Sequence, residues 1–326
     1  MQTLKYDTEV DLGNDNTSHT MIVAMVGANC RVLDVGCASG YLARVLTERG
    51  CTVSGVEHDP AAVAEARPHL ADIVVGNVEE LDLVDHFGRA AFDVVIFGDV
   101  LEHLRRPLDV LRMARPLLAP GGFVVASIPN IAHGAVRLAL LEGRFDYRPL
   151  GLLDDTHVRF FTRESVEALF RDAGLIPVQM RRTTAGLFET EFGGTPADHP
   201  PELIARILAD PEATTYQFVV KAVIDNAANA VRALHDREEA ARREIESLRR
   251  ELQQARAAAR ERTTAVIDPA PAAAARAELA RMRAGLDRVT AERDRARADL
   301  DALMATRLMR AARLPRAAYA RLRTCP

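Results

Sequence analysis

Residues 32–43 read VLDVGCASGYLA. A short apolar run ends in Asp34. Small residues follow at Gly36, Ala38 and Gly40, and apolar side chains then resume at helical spacing with Leu42, Val45 and Leu46. The pattern predicts a strand, a tight turn and a helix. Small residues in such a turn let the backbone approach a ligand closely, and the helix start aims free N–H groups at it. The spacing is not the G-x-G-x-x-G of a dinucleotide site. Asp34, Gly36, Ala38 and Gly40 fall at every second position, with an acid inside the strand end. A strand–helix turn without a ligand would share these features, so the flanking sequence has to decide.

Outward from this loop, short β-branched-rich runs alternate with amphipathic ones. CRVLDVG, TVSGVE, DIVVG, FDVVIFGD and GFVVASIP read as strands; YLARVLTERG, PAAVAEARPHL and PLDVLRMARPLL read as helices. Asp59 followed by Pro60 marks a helix start. Alternation of this kind predicts an α/β fold, a Rossmann-like doubly wound, mostly parallel sheet with helices on both faces. A helix near Thr162–Ala173 and strands near Ile176–Arg182 and Tyr216–Ile224 follow, with a helical insert at Pro201–Leu208. The two late strands are expected to form an antiparallel edge.

From residue 226 the texture changes. Apolar or small residues at Ala227, Val231, Leu234, Ala241, Ile245, Leu248, Leu252, Ala255 and Ala259 alternate steps of three and four, with Glu238 at one seam position. The seam resumes at Ala275, Leu279, Met282, Leu286, Val289, Ala296, Leu300 and Leu303, interrupted by Arg293. Steps averaging 3.5 residues predict a C-terminal helical coiled coil. Solvated helices in an Ala/Arg/Glu-rich tail would look similar. Pro269 and Pro271 are expected to break the helix. The expected organisation is a domain over 1–225, coiled-coil segments over 226–265 and 275–310, a Pro/Ala-rich linker over 266–274, and a basic tail over 311–326.

The net charge of −4 over 326 residues hides an asymmetry. Residues 226–326 hold 22 Arg, no Lys and 14 acids, a net +8; residues 1–225 hold 20 basic and 32 acidic residues, a net −12. Such a split points to different partners for the two parts. The back piece would support a homo-oligomer or a protein partner. The tail, with Leu308, Leu314, Tyr319 and Leu322 among six arginines and no acid, is suited to peripheral contact with an anionic membrane surface or is a solvated terminus. Arginines balanced by acids, without interleaved aromatics, argue against nucleic acid. No run resembles a spanning helix or secretory signal. Cys30, Cys37, Cys51 and Cys325 lack metal-like or paired spacing, so reduced thiols in a cytoplasmic protein are expected.

The remaining motifs sit at strand ends. The second strand ends in Glu57, about 20 residues after the loop, where a carboxylate can accept from two ribose hydroxyls. GNVEE, FDVVIFGDVLEHLRRP and LLAPGGFVVASIPN follow. In this order and spacing, residues 15–225 closely resemble the class I S-adenosylmethionine-dependent methyltransferases. The resemblance implies a loop of Asp34, Gly36, Cys37, Ala38 and Gly40 around the methionine end of the cofactor, with Asp34 near its ammonium group. It implies Glu57 on the ribose and His58, Asn77 and Val78 beside the adenine. Asp99 would stand beside the reacting end. Ala38 and Asn77 depart from the glycine and aspartate usual in the family.

Three histidines follow strand ends or their loops and are candidate bases for the acceptor's proton: His103 in DVLEHL, His133 in PNIAH and His157 in LDDTHVRFF. Asp154 and Asp155 stand where they would orient His157, and Arg159 where it would bind an anion. Each histidine equally suits a packing role, and Phe160 and Phe161 suit the core. No His/Asp/Glu cluster has convincing metal spacing, so metal-independent chemistry is expected, with Asp154, Asp155 and His157 the alternative that would hold an ion. The run from Pro129 to Thr162 resembles a bacterial subgroup associated with glycan assembly, which implies a sugar hydroxyl acceptor and places Arg144, Tyr147 and Arg148 on the acceptor side. Carbon or oxygen methylation in quinone-type biosynthesis, and a non-catalytic cofactor-binding scaffold, are the alternatives.

Overall fold

The structure is a computed structural model and describes residues 10–225, 227–263 and 269–305. It divides into two compact units, Met1–Asp225 and Asn226–Pro326. In the first, helix α1 (Ser18–Val26) precedes β1 (Arg31–Val35), α2 (Tyr41–Glu48), β2 (Thr52–Glu57), α3 (Pro60–Ala66), β3 (Asp72–Val75), α4 (Leu83–Phe87) and β4 (Phe92–Gly98). Then come α5 (Pro107–Ala114), β5 (Leu118–Pro129), α6 (Gly134–Leu141), α7 (Arg163–Asp172), β6 (Leu175–Thr184), α8 (Pro201–Leu208) and β7 (Thr215–Ile224).

The seven strands order as β3-β2-β1-β4-β5-β7-β6. Five run parallel, and β7 runs antiparallel to both of its neighbours. The expected fold class is therefore the observed one. The arrangement of its edge was open in the sequence: β7 inserts between β5 and β6. The strand order reverses between β1 and β4, which opens a crevice at the carboxyl ends of these strands.

Side-chain alternation builds the two layers. Val94 and Ile96 face a core made with Ile22, Met25, Leu42 and Leu46 of α1 and α2. Val95 and Phe97 face the opposite core with Val110, Leu111, Val166 and Phe170 of α5 and α7. Burial of both faces of β4 explains its continuous apolar run. Asp59 caps α3, its carboxylate accepting from Ala61 N ahead of Pro60, as its sequence predicts.

The antiparallel edge is fastened by Glu212. Its carboxylate accepts from Arg182 through two bonds of 2.8 and 2.9 Å, from Arg163 at 3.0 Å and from the Thr215 hydroxyl at 2.7 Å. The contacts join α7, β6 and β7.

In the second unit, α9 (Ala227–Thr263) and α10 (Pro269–Ala305) pack through Ala241, Ile245 and Val289, with Leu248 and Leu286 beside them. Ile245 meets Val289 while Glu238 lies 3.9 Å from Arg297, so the helices run antiparallel. Glu238 is accommodated in the seam by pairing with Arg242 at 2.6 Å as well. The Pro/Ala stretch is helical from Pro269 onward. Proline is tolerated in a first turn, where its missing N–H has no partner in any case. Residues 306–326, including the basic tail, lie outside the described residues. Among the described residues no helix is long and apolar enough to cross a membrane.

Burial alone would raise the Glu212 carboxyl, but Arg182, Thr215 and Arg163 outweigh it and hold the group at about 2. A depressed folded value means stability that is present above the unfolded carboxyl range and lost as pH falls toward 2. Thermal unfolding should show this acid loss, and Glu212→Gln should remove roughly 3 kcal/mol at neutral pH while flattening the acid limb. An unchanged acid limb in the variant would contradict the assignment.

Candidate active site

The crevice collects acids at neighbouring strand ends. Asp34 on β1 is 2% exposed, and its Oδ2 has no hydrogen-bond partner. Burial first, and then the Glu57 charge, raises its carboxyl to about 7. An orphaned buried carboxylate oxygen beside a glycine-lined loop fits an ammonium group, which would restore both charge balance and hydrogen bonding.

The loop itself is held by main-chain bonds. Gly36 N and Cys37 N both donate to Val56 O, at 2.8 and 3.1 Å, and Gly40 N donates to Cys37 O at 2.8 Å. Gly36, Ala38 and Gly40 take φ values of 74, 46 and 79°. Only Ala38 does so with a Cβ, which is the local strain its departure from glycine introduces. At Gly40 a Cβ would meet the Ala66 Cα at 3.0 Å, so the close approach of α3 requires glycine there. The Cys37 thiol is buried against this loop, and burial pushes its pKa up.

Glu57 joins the first two loops. Its Oε2 accepts from Ala38 N at 3.0 Å; its Oε1 accepts from His58 N at 2.7 Å and Asp59 N at 2.9 Å. Two carboxylate oxygens carry about four lone-pair sites, so acceptor capacity remains for a ribose hydroxyl. The His58 ring is exposed, with Nδ1 2.9 Å from Glu57 Oε1. Asn77 is exposed and accepts from Glu79 N, next to buried Val78 at the end of β3. These sequence-predicted residues lie at the carboxyl ends of β1, β2 and β3.

Asp99 lies just beyond β4 with φ 54°, a strained value for a residue with a side chain. Its N–H donates to the Ser127 hydroxyl at 2.9 Å. Its Oδ1 accepts from Ser127 Oγ and from Gln217 Nε2, each at 2.8 Å. Burial raises this carboxyl, opposed by Ser127, His19, His103 and Ser18. A cavity of about 480 Å³ opens beside it, lined by Ser18, His19, Thr183, Glu191, Tyr216 and Gln217 among others. Sequence reasoning missed His19 and Gln217. His19 lies in the first turn of an apolar helix, and only chain folding brings it to Asp99 and to the ring of Tyr41, 5.0 Å away. Burial lowers the His19 pKa, opposed by Asp99.

The three expected histidines separate. His133 is a helix cap: its Nδ1 accepts from Ala135 N at 3.1 Å, and its Nε2 lies 3.1 Å from Ala185 O. Both nitrogens are committed to main chain and the residue is fully buried, which removes it as a proton acceptor. His103 and His157 come together, ring centroids 4.8 Å apart, beside Glu102. Asp154 works through Thr156, whose hydroxyl donates to Asp154 Oδ1 at 2.6 Å and lies 3.0 Å from His103 Nδ1. Arg159 donates to Arg105 O at 2.7 Å. Phe161 is in the core, whereas Phe160, Phe145 and Tyr147 form an exposed line of ring contacts leading to His157. Arg144 pairs with Glu142, and Arg148 lies over the Phe192 ring.

A mostly parallel sheet with this strand order, its β7 reversed, and these acids at its switch point has the class I S-adenosylmethionine-dependent methyltransferase fold. Residues 15–179, half of the chain, match the family described as "Methyltransferase domain", and the chain belongs to that family. It is 32% identical over 155 residues to a ubiquinone biosynthesis O-methyltransferase of Cereibacter sphaeroides, covering 46% of this chain and 62% of that one. It is 31% identical over 173 residues to the protein of the same name from Xanthomonas campestris pv. campestris, covering 51% and 69%. The chain thus spans less than two thirds of the length of the Cereibacter relative. A solved S-adenosylmethionine-dependent methyltransferase of Thermotoga maritima aligns at 17% identity with a TM-score of 0.44, over 64% of this chain and 88% of that one.

The loop geometry makes one position decisive. Gly40→Ala must carry a Cβ at φ 79° against the backbone of α3, and should lower stability by roughly 2 kcal/mol. Thermal denaturation measures this; an unchanged midpoint would mean that the loop and α3 separate freely.

Proposed function

We propose that this chain transfers the methyl group of S-adenosylmethionine to a hydroxyl oxygen of a small polar acceptor. The observation that carries the reading is the orphaned Asp34 carboxylate in the glycine-lined loop, in the same strand-end row as Asp99 and the cavity beside it. Asp34 would take the cofactor's ammonium, Glu57 its ribose, and Asn77 and Val78 would border its adenine. The bound cofactor supplies an electrophilic sulfonium methyl; the acceptor oxygen bonds to it as the S–C bond breaks, leaving a neutral thioether.

The protein's own contribution is positioning and proton removal. Asp99, fixed by Ser127 and Gln217, orients groups at the reacting end. His19, kept neutral by burial on the cavity wall, takes the acceptor's proton. His103 is near enough to Asp99 for its charge to act on that carboxyl, and His157 packs against His103. The cavity wall is rich in hydroxyls and amides, which favours a hydroxylated acceptor such as a sugar of cell-envelope glycans. The relatives' names support oxygen as the methylated atom, and equally an acceptor of quinone-type biosynthesis.

Calorimetric titration of S-adenosylmethionine into the full chain should show one site. Asp34→Asn should weaken it about 30-fold or more, the scale of losing a buried charge partner. Affinity should fall below about pH 7, because Asp34 is then protonated and loses its attraction for the ammonium. No saturable binding, or an unaffected Asp34→Asn, would contradict the site. Thioether production from methyl glycosides against dihydroxybenzoates then separates the two acceptor classes.

A further inference from the structure

Glu102 is an anomalous polar group among the described residues of the first unit. It is 1% exposed, and neither carboxylate oxygen has a hydrogen-bond partner. Burying a carboxylate without partners is strongly unfavourable. Its surroundings worsen the problem: burial pushes the carboxyl well above its usual range, and Asp99 and Asp154 push the same way. The backbone nevertheless holds it in place. Val158 N and Arg159 N both donate to the Glu102 carbonyl, at 2.9 and 3.0 Å, which straps segment 156–159 to the turn after β4.

That strap brings two imidazoles to the carboxylate. Ligand atoms of Glu102, His103 and His157 lie within 4.8 Å of one another. Ligands on one divalent ion stand roughly 3–4 Å apart, given bonds of about 2.1 Å, so small side-chain shifts would close the set. The ring orientations are also selected. The Thr156 hydroxyl gives its proton to Asp154, so it accepts from His103 Nδ1–H; Thr156 O, 3.3 Å away, accepts from the same nitrogen. His157 Nδ1 lies 3.3 Å from Leu152 O. A ring whose Nδ1–H is held by a main-chain carbonyl presents Nε2 as its lone-pair nitrogen, the usual outer-shell arrangement of a metal-ligating histidine.

We propose that Glu102, His103 and His157 form a binding site for a divalent transition-metal ion. Two imidazoles and one carboxylate on one side of the ion favour Zn²⁺, Mn²⁺ or Fe²⁺ over the all-oxygen preferences of Mg²⁺ and Ca²⁺. Open positions would remain for a ligand oxygen. On the methyl-transfer reading that oxygen is the acceptor hydroxyl, whose proton the ion makes easier to remove; the ion binding itself does not depend on that reading.

The test is calorimetric titration of Zn²⁺ and of Mn²⁺ into the chelator-treated full chain without cofactor, with Mg²⁺ for comparison. Wild type should bind one equivalent of Zn²⁺ or Mn²⁺ at micromolar or lower concentration, and Mg²⁺ at least tenfold more weakly. Glu102→Gln and His157→Ala should each lose at least tenfold in affinity, whereas His86→Ala, a surface histidine paired with Asp72, should not. S-adenosylmethionine binding, measured alongside, reports that each variant is folded. Failure of the cofactor to bind wild type would fall on the methyl-transfer reading and leave the metal titration standing. Absence of saturable metal binding by wild type overturns the proposal, whether or not the variants fold. So does equal affinity in wild type, Glu102→Gln and His157→Ala, or a preference for Mg²⁺.

Discussion

Buried carboxylates at the ends of parallel strands are the constraint on which the site depends. Water solvates such groups far better than a protein interior does, so each has to be compensated locally. Glu57 is compensated from within the protein, by three main-chain N–H groups from two loops. Asp99 is compensated in part, by Ser127 and Gln217. Asp34 and Glu102 retain oxygens with no partner. The first pair are fixed in place by the protein's own donors, and the second pair are sites that call for a cation. An organic ammonium fits the glycine-lined loop at Asp34, and a metal ion fits the imidazole-lined turn at Glu102.

The topology explains why these groups cluster. Strand order reverses between β1 and β4, so the loops after those strands diverge and leave a crevice. The loop after β1, Glu57 and Asp99 are brought to it by the parallel direction of β1, β2 and β4. The reversed strand β7 adds Gln217 from the other side, and α1 adds His19 from above Tyr41. The Glu212 network fixes the β6–β7 edge through Arg182 and Thr215, the chain neighbours of the cavity-lining Thr183 and Tyr216.

Much of this was legible in the chain. VLDVGCASGYLA specified its strand, turn and helix because each element has a local signal: an apolar run, small residues, then helical spacing. Alternating segments specified the parallel layers for the same reason. The placement of β7 between β5 and β6 was not legible, because a strand's pairing partner depends on packing across the sheet and not on its own pattern. His133 looked like a site residue by position and became a helix cap by geometry. His19 carries no spacing signature, and Glu102 and His103, though neighbours in DVLEHL, are joined to His157 only by folding, since it comes from a distant segment. The helix at Pro269 departs from expectation because proline is unfavourable inside a helix but not in its first turn.

The central claim, that Asp34 is a buried acid waiting for a cation, is tested most directly by counting protons. Calorimetry of S-adenosylmethionine binding in buffers of different ionisation enthalpy gives the protons released on binding. Since Asp34 titrates near 7 in the free protein, the account predicts release approaching one proton per site at about pH 6. Release should decline as pH rises through 7, where Asp34 ionises in the free protein, and should be absent at about pH 6 in Asp34→Asn. Above about pH 8 proton uptake should take its place, because the free cofactor's α-amino group, with an ordinary value of about 7.7–8.0, must be protonated to pair with Asp34. Binding without proton release at about pH 6, or release there that persists in the variant, would contradict it.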